Sequence, residues 1–396
     1  MTTLSDVTAF TLDRPADGFP ESALTNAQWL LLDTLGIAAG ATELDSGNIA
    51  RDLATMIYGP GEARYSARLL FDGRRASLPG AAYAAATQID NLDGHDGYNP
   101  TKGHIGVVAV PTLLALAEQE DTLSGREALA ALVVGYEVAG RAAIALHATV
   151  SDYHTSGAWN ALGVAAMAGR LRKHTPEQFR QSLGIAEYHG PRSQMMREIS
   201  NPTMLHDGSG WGALVGLSAG IAAEQGFTGA PAITVEAPEV AQYWTDLGEF
   251  WQVEHQYIKP YPICRWAHAS IDATRSLRIE HQFTAEDIER IDLNCFHEAA
   301  ELFATMPDDT SKAQYSLPFA VATMAAHGEI LEHEHRVLYR AGTERHRGRE
   351  VAPVDQVRPV APDAGLGRGQ GPAVVARLEV GGVGDPAGEG DLCLLY

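Results

Sequence analysis

From residue 22 to about residue 250 the chain is a succession of apolar segments at helical spacing, rich in alanine, glycine and leucine, and no stretch alternates in polarity as a strand would. Nothing else in the sequence constrains the fold as strongly. Small residues let helices approach closely, and helices apolar on most faces must be covered by other helices. The spacing predicts helices over 22–42, 47–58, 79–92, 104–120, 125–147, 156–172, 176–188 and 211–226. Local signals punctuate them: Gly59-Pro60 stops the second, and proline opens the third and the seventh. Ser124-Gly-Arg-Glu127 fits a capping box before 125–147.

Near Lys259 the texture changes. KPYPIC reads as extended, 267–280 as a helix, IERIDLNCF as a strand because it alternates, and 297–306 and 312–328 as helices. The expected fold is therefore mainly α, with an all-helical domain over 1–257 and a smaller α+β domain over 258–340. Residues 341–396 do not resemble the rest: they hold eleven Gly and five Pro, and no Ile, Phe, Trp, Met, Lys, Ser or Asn. Two readings of this tail stand, a disordered segment and the product of a shifted reading frame in GC-rich coding DNA.

At 396 residues the chain exceeds one ordinary core, and 45% hydrophobic residues suffice to build two. A net charge of −21 argues against nucleic acid or an anionic membrane surface as a partner. Cys264, Cys295 and Cys393 are far apart and form no C-x-x-C, so no zinc or iron–sulfur signature is present. The first residues lack the pattern of a signal peptide, and no apolar run of ~18 residues is free of charges or glycine clusters. A reducing, cytoplasmic setting is the expectation.

Polar chemistry concentrates in a few stretches. DNLDGHDGYNPTKGH places Asp90, Asp93, His95, Asp96, Lys102 and His104 just before an apolar helix, whose N-terminal N–H groups suit an anion. Tyr153-His154 lies between two strong helices, Arg197 to Trp211 includes His206, and Lys259 to His268 includes Arg265. Together these stretches offer cations, and histidines able to move protons near neutral pH. Bland readings compete with each. A histidine in a helical protein is usually a hydrogen-bonded structural residue, Asp93 and Asp96 could solvate a loop, and Trp159, Trp211 and Cys264 read as packed side chains. His333-Glu-His335 is a poor metal site, because residues two apart do not share a helix face. No GxGxxG follows a strand and no Walker A is present, so no nucleotide cofactor is indicated.

Taken in order, these stretches resemble the MmgE/PrpD family of 2-methylcitrate dehydratases, cis-aconitate decarboxylases and iminodisuccinate epimerases. The resemblance is carried by Asp90…Lys102-Gly-His104-Ile-Gly…Pro111 and by Gly135-Tyr-Glu-Val…Tyr153-His154-x-Ser-Gly-x-Trp159. It continues in Pro202-Thr-Met-x-His206-Asp-Gly-Ser-Gly-Trp-Gly212, Lys259-Pro-Tyr-Pro-x-Cys-Arg-x-x-His268 and Gln314-Tyr-Ser-Leu-Pro318, covering about 5–330.

The resemblance implies a helical domain, an α+β lid domain, a homodimer and a reaction without cofactor or metal on a small di- or tricarboxylate. A proton leaves carbon next to a carboxylate, and loss of water, loss of CO₂ or reprotonation follows. That chemistry needs acid–base groups and cations to hold the carboxylates while negative charge builds up. The resemblance places Asp90, His104, His154 and Lys259 at the active site and matches Tyr153 to an acid on the opposite face; with these, the expected acid–base groups are His104, His154, Tyr153, His206 and Asp90, and the expected carboxylate-binding groups Lys259, Arg265, His268 and Lys102. Several bacterial members have lysine where this chain has His206. Decarboxylase members have histidine at the place of Cys264 and a lysine near Thr203. The leading expectation is a 2-methylcitrate dehydratase-like lyase. Epimerisation of an imino- or amino-dicarboxylate comes next, then cis-aconitate decarboxylation, then a non-catalytic homologue.

Overall fold

The computed structural model describes residues 3–330 and, further on, the backbone of 354–359, 375–380 and 391–395. The chain divides into two compact units: Met1–Arg197 with Met204–Lys259, and Glu198–Thr203 with Pro260–Tyr396.

The first unit is helical. It runs through α1 (Thr3–Thr8), α2 (Glu21–Gly40), α3 (Asp45–Ile57), a hairpin of β1 (Ser66–Arg68) and β2 (Arg75–Ser77), and α4 (Leu78–Asp90). Then come β3 (Gly97–Tyr98), α5 (Gly106–Ala117), α6 (Gly125–Thr149), α7 (Gly157–Leu171) and α8 (Pro176–His189). α9 (Met195–Ile199) begins in this unit, which closes with α10 (Ser209–Glu224), α11 (Ile233–Glu236) and β4 (Gln256–Tyr257), antiparallel to β3.

α7 is the central helix: every residue from Gly157 to Leu171 is buried, against α5, α6, α8 and α10. Its small residues make this burial possible. A Cβ on Gly163 would stand 2.7 Å from the Gly135 carbonyl oxygen of α6 and 2.8 Å from Ala139 Cβ, so only glycine fits that crossing. α6 is long and apolar enough to cross a membrane, with mean hydropathy 1.6, yet 89% of that window is buried inside the protein, as in a core helix.

The capping chemistry shows how side chains compete. Thr175 and Gln178 form a reciprocal capping box at α8. At α6 Ser124 accepts the Glu127 N–H at 3.1 Å, but the Glu127 carboxylate turns to Arg170, at 2.8 and 3.2 Å. That box is therefore only half made.

The second unit holds α12 (His268–His281), β5 (Ile288–Cys295), α13 (His297–Ala300), α14 (Thr310–Gln314) and α15 (Leu317–His327). β5 joins β6 (Val354–Pro359), β7 (Val375–Val380) and β8 (Asp391–Leu395) in a sheet of order β6-β5-β7-β8. β6 is parallel to β5, the other pairs are antiparallel, and Ile291 stands opposite Leu378. Ile288, Ile291, Leu293 and Cys295 supply the buried residues of β5. The helix expected over 297–306 stops at Ala300. That expected over 312–328 breaks at Tyr315–Ser316, where Ser316 caps α15 and Pro318 takes a first-turn position that needs no N–H. β6, β7 and β8 fall within the compositionally odd 341–396 stretch. The rest of that stretch, and His333-Glu-His335, lie outside the described residues. The protein is thus mainly α, with a smaller α+β part.

Candidate active site

α4 ends at Asp90, and the loop to α5 turns inward at once. Asp93 takes a left-handed backbone, φ 54°, a conformation that aspartate tolerates better than most residues. Asp90, Asp93, His95 and Asp96 are all 3% exposed or less, so the loop is buried in the helical unit rather than solvated.

Three helix N-termini converge on this loop, and each has an aspartate against it. At α5 the Asp96 carboxylate accepts the Gly106 N–H, at 3.0 and 3.2 Å. At α10 Asp90 accepts the Ser209 N–H at 3.4 Å. At α7 the Asp207 side chain accepts from the Ser156 N–H at 3.4 Å and its carbonyl from the Gly157 N–H at 2.8 Å. The positive ends of three helix dipoles thus offset part of the cost of burying three acids.

Within this frame His104 has distinct roles for its two nitrogens. Nδ1 lies 2.6 Å from the Asp96 carbonyl oxygen, which can only accept, so Nδ1 carries the proton. Nε2 lies 3.4 Å from Asp207 Oδ2. The ring stacks edge-on against His95, with centroids 4.5 Å apart. The His104 backbone is pinned by Ser156 Oγ, which accepts its N–H at 3.1 Å, and by Asn160, which donates to its carbonyl at 2.8 Å. Burial holds His104 well below the ordinary histidine range, helped by the His95 and Lys259 charges. His95 is lowered by burial and by Lys259, and burial takes His206 down to about 4.

The acids split. Burial and the Asp207 charge push Asp90 well up; its Oδ1 has no hydrogen-bond partner among the described residues and sits 3.3 Å from His95 Nε2. Burial raises Asp207, and brings Asp96 to about 6 despite the Tyr136 hydroxyl donating to it at 2.7 Å. Asp93 goes the other way. Burial alone would raise it, but the Lys259 ammonium 2.6 Å from its Oδ1 outweighs burial and holds it below the aspartate range. Lys259 also donates to the Asp93 carbonyl, so its charge is committed to the loop. Burial brings Asp33 of α2 to about 6, with the His95 and Lys259 charges acting against it.

The Tyr153 hydroxyl donates to the carbonyl of Lys102, whose exposed ammonium is 5.9 Å from the Tyr153 ring centre. His154 is half-buried, and its N–H points to His147 Nε2 at 3.3 Å. Arg265 and His268 belong to the second unit. Arg265 is exposed, whereas His268 is buried, with Nε2 2.9 Å from the Ile263 carbonyl. Trp159 and Cys264 are buried as expected; Trp211 is 46% exposed, edge-on to Tyr83, and is no core residue. A cavity of about 400 Å³ lined by Leu69, Phe71, Pro111 and Leu114 shares no residue with the cluster. Its charged lining residues, Arg68, Asp72 and Glu118, are joined by no histidine. Among the described residues no group of three His, Cys, Asp or Glu is arranged to hold a metal ion.

The comparisons agree with the order of these segments. Residues 5–250 match the MmgE/PrpD N-terminal domain and residues 261–338 the MmgE/PrpD C-terminal domain. The chain belongs to the MmgE/PrpD family. Among curated relatives, a cis-aconitate decarboxylase of Aspergillus terreus is 24% identical over 314 residues, which is 69% of this chain and 60% of the relative. A second, from Aspergillus terreus strain NIH 2624 / FGSC A1156, is 24% identical over 302 residues, 66% of this chain and 57% of its own length. The chain thus spans about three fifths of the length of the curated relatives it matches. In this MmgE/PrpD chain the structure adds Asp33, which no motif contains, and Tyr136, Ser156 and Asp207, which stand within the motifs without a role assigned to them, and it buries Asp93, His95 and Asp96 in the cluster. Asp207 had one signal in the sequence: it adjoins His206 in a glycine-rich turn opening a helix.

Proposed function

We propose that this protein is a cofactor-independent lyase that removes a proton next to a carboxylate of a small di- or tricarboxylate, with a 2-methylcitrate dehydratase-like reaction as the leading form. The observation that carries the reading is the polarity of His104. With Nδ1–H held by the Asp96 carbonyl, a neutral imidazole presents Nε2 as its basic atom. Burial keeps that imidazole neutral at working pH, as a base must be. Nε2 takes the proton from the carbon next to the carboxylate; the C–H electrons stay on that carbon, delocalised into the carboxylate, and then form the C=C bond as the C–O bond on the neighbouring carbon breaks. Loss of hydroxide as water, with a proton from a neighbouring acid, completes the elimination. Asp90, raised by burial, is suited to supply that proton.

Family membership supports the active-site placement of His154, Tyr153 and Lys259; His206 as an acid–base group and Lys102, Arg265 and His268 as carboxylate-binding groups are part of the proposal. For Lys102 an exposed ammonium agrees with such a role. For Lys259 the bond to Asp93 favours a supporting role, in which it orders the loop that holds His104. A homodimer in the cytoplasm is part of the same proposal.

Ultraviolet detection of alkene formation tests it, with 2-methylcitrate, citrate and related hydroxy acids offered in turn. Turnover that falls about 10²–10⁴-fold in His104→Gln is the expected result. Turnover unaffected by that change would remove His104 from the reaction. A second reading, decarboxylation, is favoured by the names of the two curated relatives. Release of CO₂ from cis-aconitate without alkene formation from any hydroxy acid would replace the first reading with it.

A further inference from the structure

Asp207 has no role in the reaction as derived above, yet it is the carboxyl nearest the basic atom of His104. Its two oxygens are distinguished by their partners. Oδ1 accepts from the Ser156 hydroxyl at 3.1 Å and from the Ser156 N–H at 3.4 Å, so it sits as a carbonyl-type oxygen. Oδ2 faces His104 Nε2 at 3.4 Å. Because His104 Nδ1–H is already given to the Asp96 carbonyl, Nε2 of the neutral ring is left as an acceptor, 3.4 Å from Oδ2. A single proton can therefore rest on either atom.

We propose that Asp207 is the positioning residue of His104 and shares one proton with it, between Oδ2 and Nε2, so that the pair and not the histidine alone carries the transferable proton. Moving it breaks the Asp207 O–H bond and forms the His104 N–H bond, giving carboxylate and imidazolium, with no other atom involved. The role of the pair in turnover rests on the lyase reading; the shared proton itself does not.

The local structure registers both partners. Ser156 Oγ donates to Asp207 and accepts the backbone N–H of His104, so one hydroxyl sets both positions. The Asp207 backbone is left-handed, φ 42°, and Gly208 follows at 67°. That turn is clamped by the Asp207 carbonyl accepting the Gly157 N–H at 2.8 Å. A non-glycine residue held in this region at a reactive site is strain that the surroundings must enforce. Burial raises Asp207 and lowers His104, the ordering in which the proton rests on oxygen. The other titratable groups around the pair are Asp33 from α2, Asp90 at the end of α4, and Asp93, His95 and Asp96 from the loop. His206 and Lys259 complete the set.

Asp207→Asn is the discriminating change in the full chain. The amide oxygen still accepts from Ser156 and the amide N–H can still face Nε2, so these contacts of the protonated acid are kept while the transferable proton is lost. A structural role predicts an active variant. A shared proton predicts a kcat about 10²-fold lower or less, with KM changed by no more than about threefold. Infrared difference spectra of wild type against Asp207→Asn, taken between about pH 5 and pH 8, should show a protonated-carboxyl C=O band that the variant lacks. If wild type turns over none of the acids, the lyase reading fails, and the infrared arm still decides the proton. A variant with kcat within about threefold of wild type overturns the proposal, as does a wild type without that band. Should Asp207→Asn fold poorly, Ser156→Ala serves in its place: losing the hydroxyl donor to Oδ1 must shift the band, and an unmoved band overturns the assignment.

Discussion

Five buried or part-buried carboxyls, those of Asp33, Asp90, Asp93, Asp96 and Asp207, gather near one lysine ammonium, that of Lys259. They cannot all be ionised, and the directions of their shifts show how the burden is divided. Asp93 alone is held low, because Lys259 faces it directly; the rest are raised. Lys259→Met removes the compensating charge and should cost about 3–5 kcal/mol, the usual result of stripping one partner from a buried pair. The sign of its pH dependence follows from Asp93. Its folded pKa lies below the ordinary 3.8, so its stabilisation is present above that value and is lost as pH falls through the folded pKa. Urea unfolding at several pH values should show a gap between wild type and Lys259→Met that is full near neutrality and narrows in acid. A gap that does not change with pH would mean the pair contributes nothing through charge. In the sequence Asp93 and Asp96 can equally be read as residues that solvate a loop. Their burial depends on α4, α5, α7 and α10 meeting around them, which no local signal encodes.

At the scale of elements, α7 decides the geometry of the site, since its first turn delivers Ser156 and receives the Asp207 turn. The limiting contact is backbone on backbone: a Cβ on Gly157 would stand 2.2 Å from the Gly208 carbonyl oxygen. Gly157→Ala should therefore destabilise by about 1–3 kcal/mol or more, through overpacking that backbone cannot relieve easily. Gly36 of α2 is the control, with nothing within 4 Å of an added Cβ. Gly36→Ala should stabilise by roughly 0.5–1 kcal/mol through helix propensity alone. Thermal melting of the two variants side by side checks both, and equal melting points would sink the packing argument. The helices were legible because small apolar residues at helical spacing, with proline and Ser/Thr at their starts, leave few alternatives. Helix ends were less so. The Ser124 box is half made because Glu127 found Arg170, and the 312–328 segment breaks because Ser316 and Pro318 start a new helix.

For the whole molecule, a net charge of −21 sets a repulsive field for an anionic substrate. Approach then depends on local cations and helix N-termini overcoming the long-range term. Raising salt from about 20 to about 200 mM should lower KM for a di- or tricarboxylate, because screening weakens the distant repulsion more than the short contacts. A KM that rises with salt would show that attraction to surface cations dominates instead.

What the sequence determined alone is the helical class, the change of texture near Lys259 and the presence of His104 beside a helix start, because each is written in residues close together along the chain. Tertiary structure alone decided which acid faces which base. The pairing of Asp207 with His104 spans two segments about a hundred residues apart. The choice of Nε2 as the basic atom is local along the chain, since the Asp96 carbonyl eight residues before His104 has taken Nδ1, but it needs the loop to be folded back on itself. Such pairings arise only when three helix N-termini are brought together, and backbone carbonyls and dipoles, which carry no residue identity, then set the protonation states.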